Sequence, residues 1–257
     1  MQPDVTDLMD FYARPIGALV RRLLTNRVRA IWGRVDGATL VGLGFATPYL
    51  GSFRGEARRV IALMPYAQGA LVWPQAGPVA SVLVDELHLP LPDNSVDHLL
   101  LVHALEACGT VRPLLREIWR VLKPEGHLLI VVPNRRGVWA RLDTTPFGNG
   151  QPFSTGQLHR LLAEALLTPV ATTTALHMPP IDRRLVVRSG MTWERIGRRI
   201  SPLFGGVILM EARKDLAAPL IKGSPARIAP KLVPSRNAAF ASDRRTPDDR
   251  IDATMHR

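Results

Sequence analysis

The sequence predicts an α/β fold, a mostly parallel sheet wrapped by helices, with an N-terminal helical segment and a basic C-terminal tail. Three observations carry this. Between residues 38 and 214, short apolar runs alternate with amphipathic helical stretches. The runs are apolar at successive positions, as strands buried on both sheet faces must be. From residue 216 the pattern stops. Pro219, Pro225, Pro230, Pro234 and Pro247 punctuate a stretch whose only aromatic residue is Phe240.

The elements follow in order. Residues 1–36 read as one amphipathic helix. Asp4 or Thr6 caps it, and Leu8, Phe11, Tyr12, Ile16, Leu19, Leu23 and Leu24 share a face at spacings of three and four. Strands are expected at 39–43, 59–63, 81–84, 98–102 and 127–132. A helix at 111–122 has a core stripe of Val111, Leu114, Leu115, Ile118, Val121 and Leu122, is capped by Thr110, and is stopped by Pro124 and Gly126. Another starts at Ser154, with Gln157 three residues on, the spacing of a capping box. Two further strands are expected at 170–176 and 207–212. The domain reading is therefore an N-terminal helical segment (1–36), an α/β domain (37–215) and a tail (216–257). The tail has too little apolar surface to offset its conformational entropy, so it reads as disordered.

Bulk composition excludes several classes. The 257 residues are 46% hydrophobic and 21% charged, a globular balance. No apolar run approaches the roughly 20 residues needed to span a bilayer, and no signal peptide is legible, so the expected location is the cytoplasm. One cysteine, Cys108, excludes a disulfide framework, and the seven histidines lack metal-ligand spacing. No Gly-x-Ser-x-Gly elbow marks a hydrolase. The formal net charge of +11 favours an anionic partner, and the arginines at 183, 184, 188, 195, 198 and 199 are a candidate surface for one.

The chemically informative stretch runs from Leu83 to Asn134. It holds Asp85 after the third strand and Leu89-Pro90-Leu91-Pro92-Asp93-Asn94-Ser95-Val96-Asp97 before the fourth. Glu117-Ile118-Trp119-Arg120-Val121-Leu122-Lys123-Pro124-Glu125-Gly126 precedes the fifth. This stretch closely resembles the class I S-adenosylmethionine-dependent methyltransferases, in particular their type 11 group. The resemblance implies a Rossmann-like seven-stranded sheet with an antiparallel last strand. It also implies S-adenosylmethionine as cofactor and a small-molecule or carrier-bound methyl acceptor.

Residue by residue, the resemblance places the cofactor against Gly42, Gly44, Ala46 and Thr47 after the first strand, and against Met64 and Pro65 after the second. Asp85, Glu86 and Leu87 follow the third strand, and His103 follows the fourth. Asp85 would accept a hydrogen bond from the adenine amino group. Tyr12, Asn134 and Trp139 are candidate acceptor contacts, and residues 144–153 are a candidate cover loop. The resemblance assigns no catalytic residue. The sequence departs from the family pattern twice. Gly42 stands at the acid that helps hold the methionine end, with Ala46 and Pro48 at two glycine positions. Met64 stands at the acid that bonds the ribose hydroxyls, and a thioether is a weak acceptor. A second reading is therefore a catalytically inactive binding or regulatory module on the same fold. A third, a methyltransferase acting on nucleic acid, rests on charge alone.

Overall fold

The computed structural model describes residues 3–182, 184–200 and 202–215. The chain divides into two units, 1–218 and 219–257. The second, which contains most of the expected tail, lies outside the described residues.

Seven strands form one sheet: β1 (Thr39–Gly44), β2 (Arg59–Pro65), β3 (Ser81–Val84), β4 (Val96–Val102), β5 (Leu122–Pro133), β6 (Thr168–Ala175) and β7 (Val207–Arg213). Their order is β3-β2-β1-β4-β5-β7-β6. The first five pair in parallel, and β7 runs antiparallel between β5 and β6. This is the expected seven-stranded class I methyltransferase architecture. Alternate residues of the central strands point to opposite faces. Leu100 and Val102 of β4 join one buried cluster, while Leu99 and Leu101 join the other. The edge strand β3 differs, because Val82 and Leu83 stay exposed there.

Among the described residues six α-helices flank the sheet: α1 (Val5–Ala13), α2 (Pro15–Trp32), α3 (Thr47–Leu50), α4 (Val111–Val121), α5 (Thr155–Glu164) and α6 (Arg184–Ile200). The expected single N-terminal helix is two. Pro15 lacks an N–H and forces Arg14 into the extended region (φ −73°, ψ 155°). Gly17 then lets α2 turn back, since a Cβ there would sit 2.0 Å from the Phe11 carbonyl oxygen. Asp4 caps α1 as expected, its carboxylate accepting from the Thr6 and Asp7 amides at 2.8 and 2.9 Å.

Two other caps depart from expectation. Thr110 makes no side-chain cap, and α4 ends when Leu122 turns extended and enters β5, ahead of Pro124. Ser154 accepts from the Gln157 amide, but the Gln157 side chain accepts from Arg135 instead of closing the box.

Candidate functional site

In a doubly wound sheet the ligand groove opens where strand order reverses, at the carboxyl ends of the strands. Here that point lies between β1 and β4. The glycines at the end of β1 are explained by packing. Gly44 has φ +83°, and a Cβ there would stand 2.2 Å from the Val102 carbonyl oxygen. A Cβ at Gly42 would stand 2.7 Å from both Ala46 Cβ and Leu50 Cδ1. Position 42 therefore has no room for the acidic side chain of the family pattern, because α3 sits directly on it. Ala46 and Thr47 are buried under the same contact.

The end of β2 is equally occupied. Met64 is fully buried, and its sulfur accepts from the Leu71 amide at 3.3 Å. Pro65 is buried beside it. Beyond them, Gln68 reaches across to β4, where its Nε2 donates to the His103 carbonyl at 2.7 Å. The Gln68 carbonyl accepts from the Val5 amide at 2.7 Å, which pins the start of α1 over the groove.

Further along α1, the Tyr12 ring stacks on Phe45 with centroids 5.5 Å apart. The Tyr12 hydroxyl bonds the Tyr49 hydroxyl at 2.6 Å and His103 Nε2 at 2.9 Å. Burial pushes both phenols above their ordinary range, so they stay protonated. Thus α1 and Gln68 together roof the groove.

Beneath that roof several polar atoms lack partners. Glu106 is only 6% exposed, and neither carboxylate oxygen has a hydrogen bond. His103 Nδ1, 3.3 Å from Glu106 Oε1, is badly aligned and also unpartnered. Gln68 Oε1 and Thr145 Oγ1 are in the same condition. His103 itself sits at φ +53°, a region non-glycine residues rarely occupy. Unsatisfied buried polar atoms are uncommon enough to need an explanation.

The residues expected on the adenine side lie apart from this cluster. Asp85 is exposed at the end of β3, accepting from the Leu87 amide (2.9 Å) and pairing with His88 (2.8 Å). The His88 hydrogen bond holds its carboxyl below the ordinary range. Glu86 and Leu87 are half-buried.

The acceptor candidates are committed to the fold. Asn134 Nδ2 donates to the Leu203 and Gly205 carbonyls (2.9 and 2.7 Å), and its Oδ1 accepts from the Arg136 amide. Trp139 Nε1 donates to the Met178 carbonyl at 2.7 Å. Tyr12 is a core residue in the roof. Asn134 and Trp139 thus have no free polar atom turned toward the groove.

The 143–150 loop closes the β4 side. Gly150 packs on the Glu106 backbone, and the Gln151 amide donates to the Glu106 carbonyl at 2.8 Å. Between this loop and α1 lies a cleft of about 670 Å³, lined by Asp7, Asp10, Arg14, Asp143 and Asn149 among others. A second cleft, about 590 Å³, lies on the other flank of α1 beside Arg21, Phe45, Thr47 and Trp73. A smaller pocket between α4 and α5 is remote from the strand ends.

The fit to S-adenosylmethionine is therefore mixed. The two family positions for acidic anchors do not fit it. The unpartnered acceptors of Gln68 and Glu106 do suit a ligand rich in donors, such as one with ribose hydroxyls and an ammonium group. Neither Gln68 nor Glu106 is among the residues that the resemblance placed against the cofactor. The available signal was an acid within the apolar run from Leu99 to Ala107.

Comparison with known proteins agrees with the architecture. Residues 41–130 match the family model of a methyltransferase domain. A curated Escherichia coli K12 protein, the uncharacterized protein YafS, is 33% identical over 116 residues, 45% of this chain. The match spans 44% of that relative, less than half its length. Among solved structures, an S-adenosylmethionine-dependent methyltransferase of Thermotoga maritima superposes with a TM-score of 0.60 at 17% identity. It covers 82% of this chain and 96% of its own. One from Archaeoglobus fulgidus gives 0.55 at 19% identity, covering 76% of this chain and 94% of its own. Residues 41–130 thus resemble a methyltransferase domain, and the sheet has the fold of the S-adenosylmethionine-dependent methyltransferases.

Proposed function

We propose that this protein transfers a methyl group from S-adenosylmethionine to a small-molecule or carrier-bound acceptor. The observation that carries the reading is a pair of buried acceptors without hydrogen bonds, Gln68 Oε1 and the Glu106 carboxylate, on either side of His103 at the end of β4, in a chain whose residues 41–130 match a methyltransferase domain. When bound, the cofactor supplies a methyl on a sulfonium already activated for in-line attack, so the protein's part is mainly positioning. Asp85 would take the adenine amino group. Gln68 and Glu106 would accept from the hydroxyl and ammonium donors in place of the acids absent at Gly42 and Met64. Withdrawal of α1 removes Tyr12 from His103 Nε2. That nitrogen, with Glu106 beside Nδ1, is then placed to take a proton from the acceptor.

A second reading is favoured by the same roof. With Gln68 bridging the groove and α1 seated on it, the protein would be a catalytically inactive binding or regulatory module. Thermal unfolding with and without S-adenosylmethionine and S-adenosylhomocysteine separates the two. Methyl transfer requires a saturable upward shift, about 2.7 kcal/mol at a hundredfold excess over Kd. That shift should shrink in both Asp85→Ala and Glu106→Gln. No shift at saturating ligand would overturn the enzyme reading in favour of the inactive module.

A further inference from the structure

One surface remains unexplained by the groove. Helix α6 packs inward through Gly190, Glu194 and Gly197. A Cβ on Gly190 would meet Leu19 at 2.3 Å, and one on Gly197 would meet His177 at 2.4 Å. Glu194 is buried, accepting from the His177 amide at 3.0 Å and pairing with Arg27 at 3.3 Å. The next flank is apolar and open. Trp193 and Ile196, one turn apart, are each 48% exposed. The short turn after the helix adds Leu203 and Phe204, 58% and 59% exposed. Asn134 bonds the carbonyls of Leu203 and Gly205, and Gly137 packs on Gly205 and Gly206. These contacts bring the exposed Val138 to the same edge.

Cations border this surface. Arg195 and Arg199 project from α6, and Arg135, Arg136 and Arg141 from the loop after β5; all are exposed. Among the described residues, none of them makes an ion pair with a carboxylate. Arg183, and the side chains of Arg184, Arg188 and Arg198, lie outside the described residues and play no part here. An exposed aromatic and aliphatic flank beside arginines that pair with no carboxylate among the described residues, on a chain of net charge +11, is complementary to one kind of surface. A lipid interface offers acyl chains to the apolar side chains and anionic headgroups to the guanidinium groups. Nucleic acid would use the arginines but offers no comparable partner to Leu203 and Phe204 together.

We infer that α6 and the Leu203–Phe204 turn dock this protein on an anionic phospholipid bilayer. No helix among the described residues is long and apolar enough to cross a membrane, so the contact is peripheral. It lies where β5 ends and β7 begins, next to the loop that follows β5.

The test is co-sedimentation of the full chain with vesicles of phosphatidylcholine alone and of phosphatidylcholine mixed with phosphatidylglycerol. Binding is expected on the mixed vesicles and lost at high salt. The double variant Leu203→Asp/Phe204→Asp should weaken it about tenfold or more, with an unchanged melting temperature because both side chains are exposed. Arg195→Ala and Arg199→Ala should each weaken it about fivefold. Failure to bind mixed vesicles overturns the proposal. So does binding that survives the Leu203/Phe204 variant, which would move the contact elsewhere on the chain. Tighter binding to a duplex DNA oligonucleotide, indifferent to Phe204, would assign the arginines to nucleic acid and overturn it too. The readout needs neither cofactor nor acceptor, so its failure is distinguishable from failure of the methyl-transfer reading.

Discussion

His98 of β4 shows how one half-buried residue couples stability to pH. Its ring stacks on His127 with centroids 5.2 Å apart, and its Nδ1 is buried without a partner. Burial, helped by repulsion from His127, lowers its pKa from the usual 6.5 to about 4. Between those values the unfolded chain binds a proton that the folded chain excludes. Stability from this site is therefore complete above pH 6.5 and is lost as pH falls toward 4. Allowing for the ring's partial exposure, the loss at the acid end is about 1–2 kcal/mol. In urea titrations across that range, His98→Leu should flatten the pH dependence relative to the parent protein. An equal slope in both proteins would place the acid sensitivity on another group.

Between elements, the strongest sequence signature proves to be a structural tie. Arg120 on α4 donates to the Leu89 and Leu91 carbonyls, both at 3.0 Å, and pairs with Asp93 and Glu117. Glu117 accepts from the Leu89 amide at 2.7 Å, and Arg120 holds its carboxyl below the ordinary range. The pair clamps the loop before β4 to α4. Arg120→Ala should cost about 2–3 kcal/mol, because two carboxylates and two carbonyls lose their donor. Arg120→Lys should recover little, since a single ammonium cannot reproduce the fork. Recovery by lysine in a denaturant titration would refute the clamp.

This explains what was legible from sequence. Strand positions followed from apolar runs, and the seven-stranded sheet with its antiparallel last strand followed from the resemblance carried by the motif that builds this clamp. The break at Pro15 was also written in the sequence, but the unbroken apolar spacing from Leu8 to Leu24 hid it. The groove was less legible, because Gly42 and Gly44 look like ligand-facing glycines and instead serve contacts with Leu50 and Val102. Long-range partners such as Gln68 with His103, or Asn134 with Leu203, leave no local pattern to read.

At the scale of the whole molecule, α1 covers the groove in which the proposed cofactor would sit, so on that reading seating of α1 and ligand binding compete for the same space. α1 is held by Leu8, Phe11 and Tyr12 in the core and by the Val5–Gln68 backbone bond. If methyl transfer is the function, the apparent affinity for S-adenosylhomocysteine is reduced by the fraction of molecules with α1 withdrawn. Tyr12→Ala removes the stack on Phe45 and the hydroxyl that joins Tyr49 to His103. It should lower overall stability by about 3–5 kcal/mol, as loss of a large buried aromatic side chain does. The penalty falls on the closed form, so the same variant should bind S-adenosylhomocysteine more tightly, about tenfold for each 1.4 kcal/mol taken from closure alone. Isothermal titration of parent and variant reads this directly. Tighter binding identifies Tyr12 as part of a latch. Weaker binding by a variant that still folds would make Tyr12 a contact of the bound ligand, with α1 a fixed wall of the site.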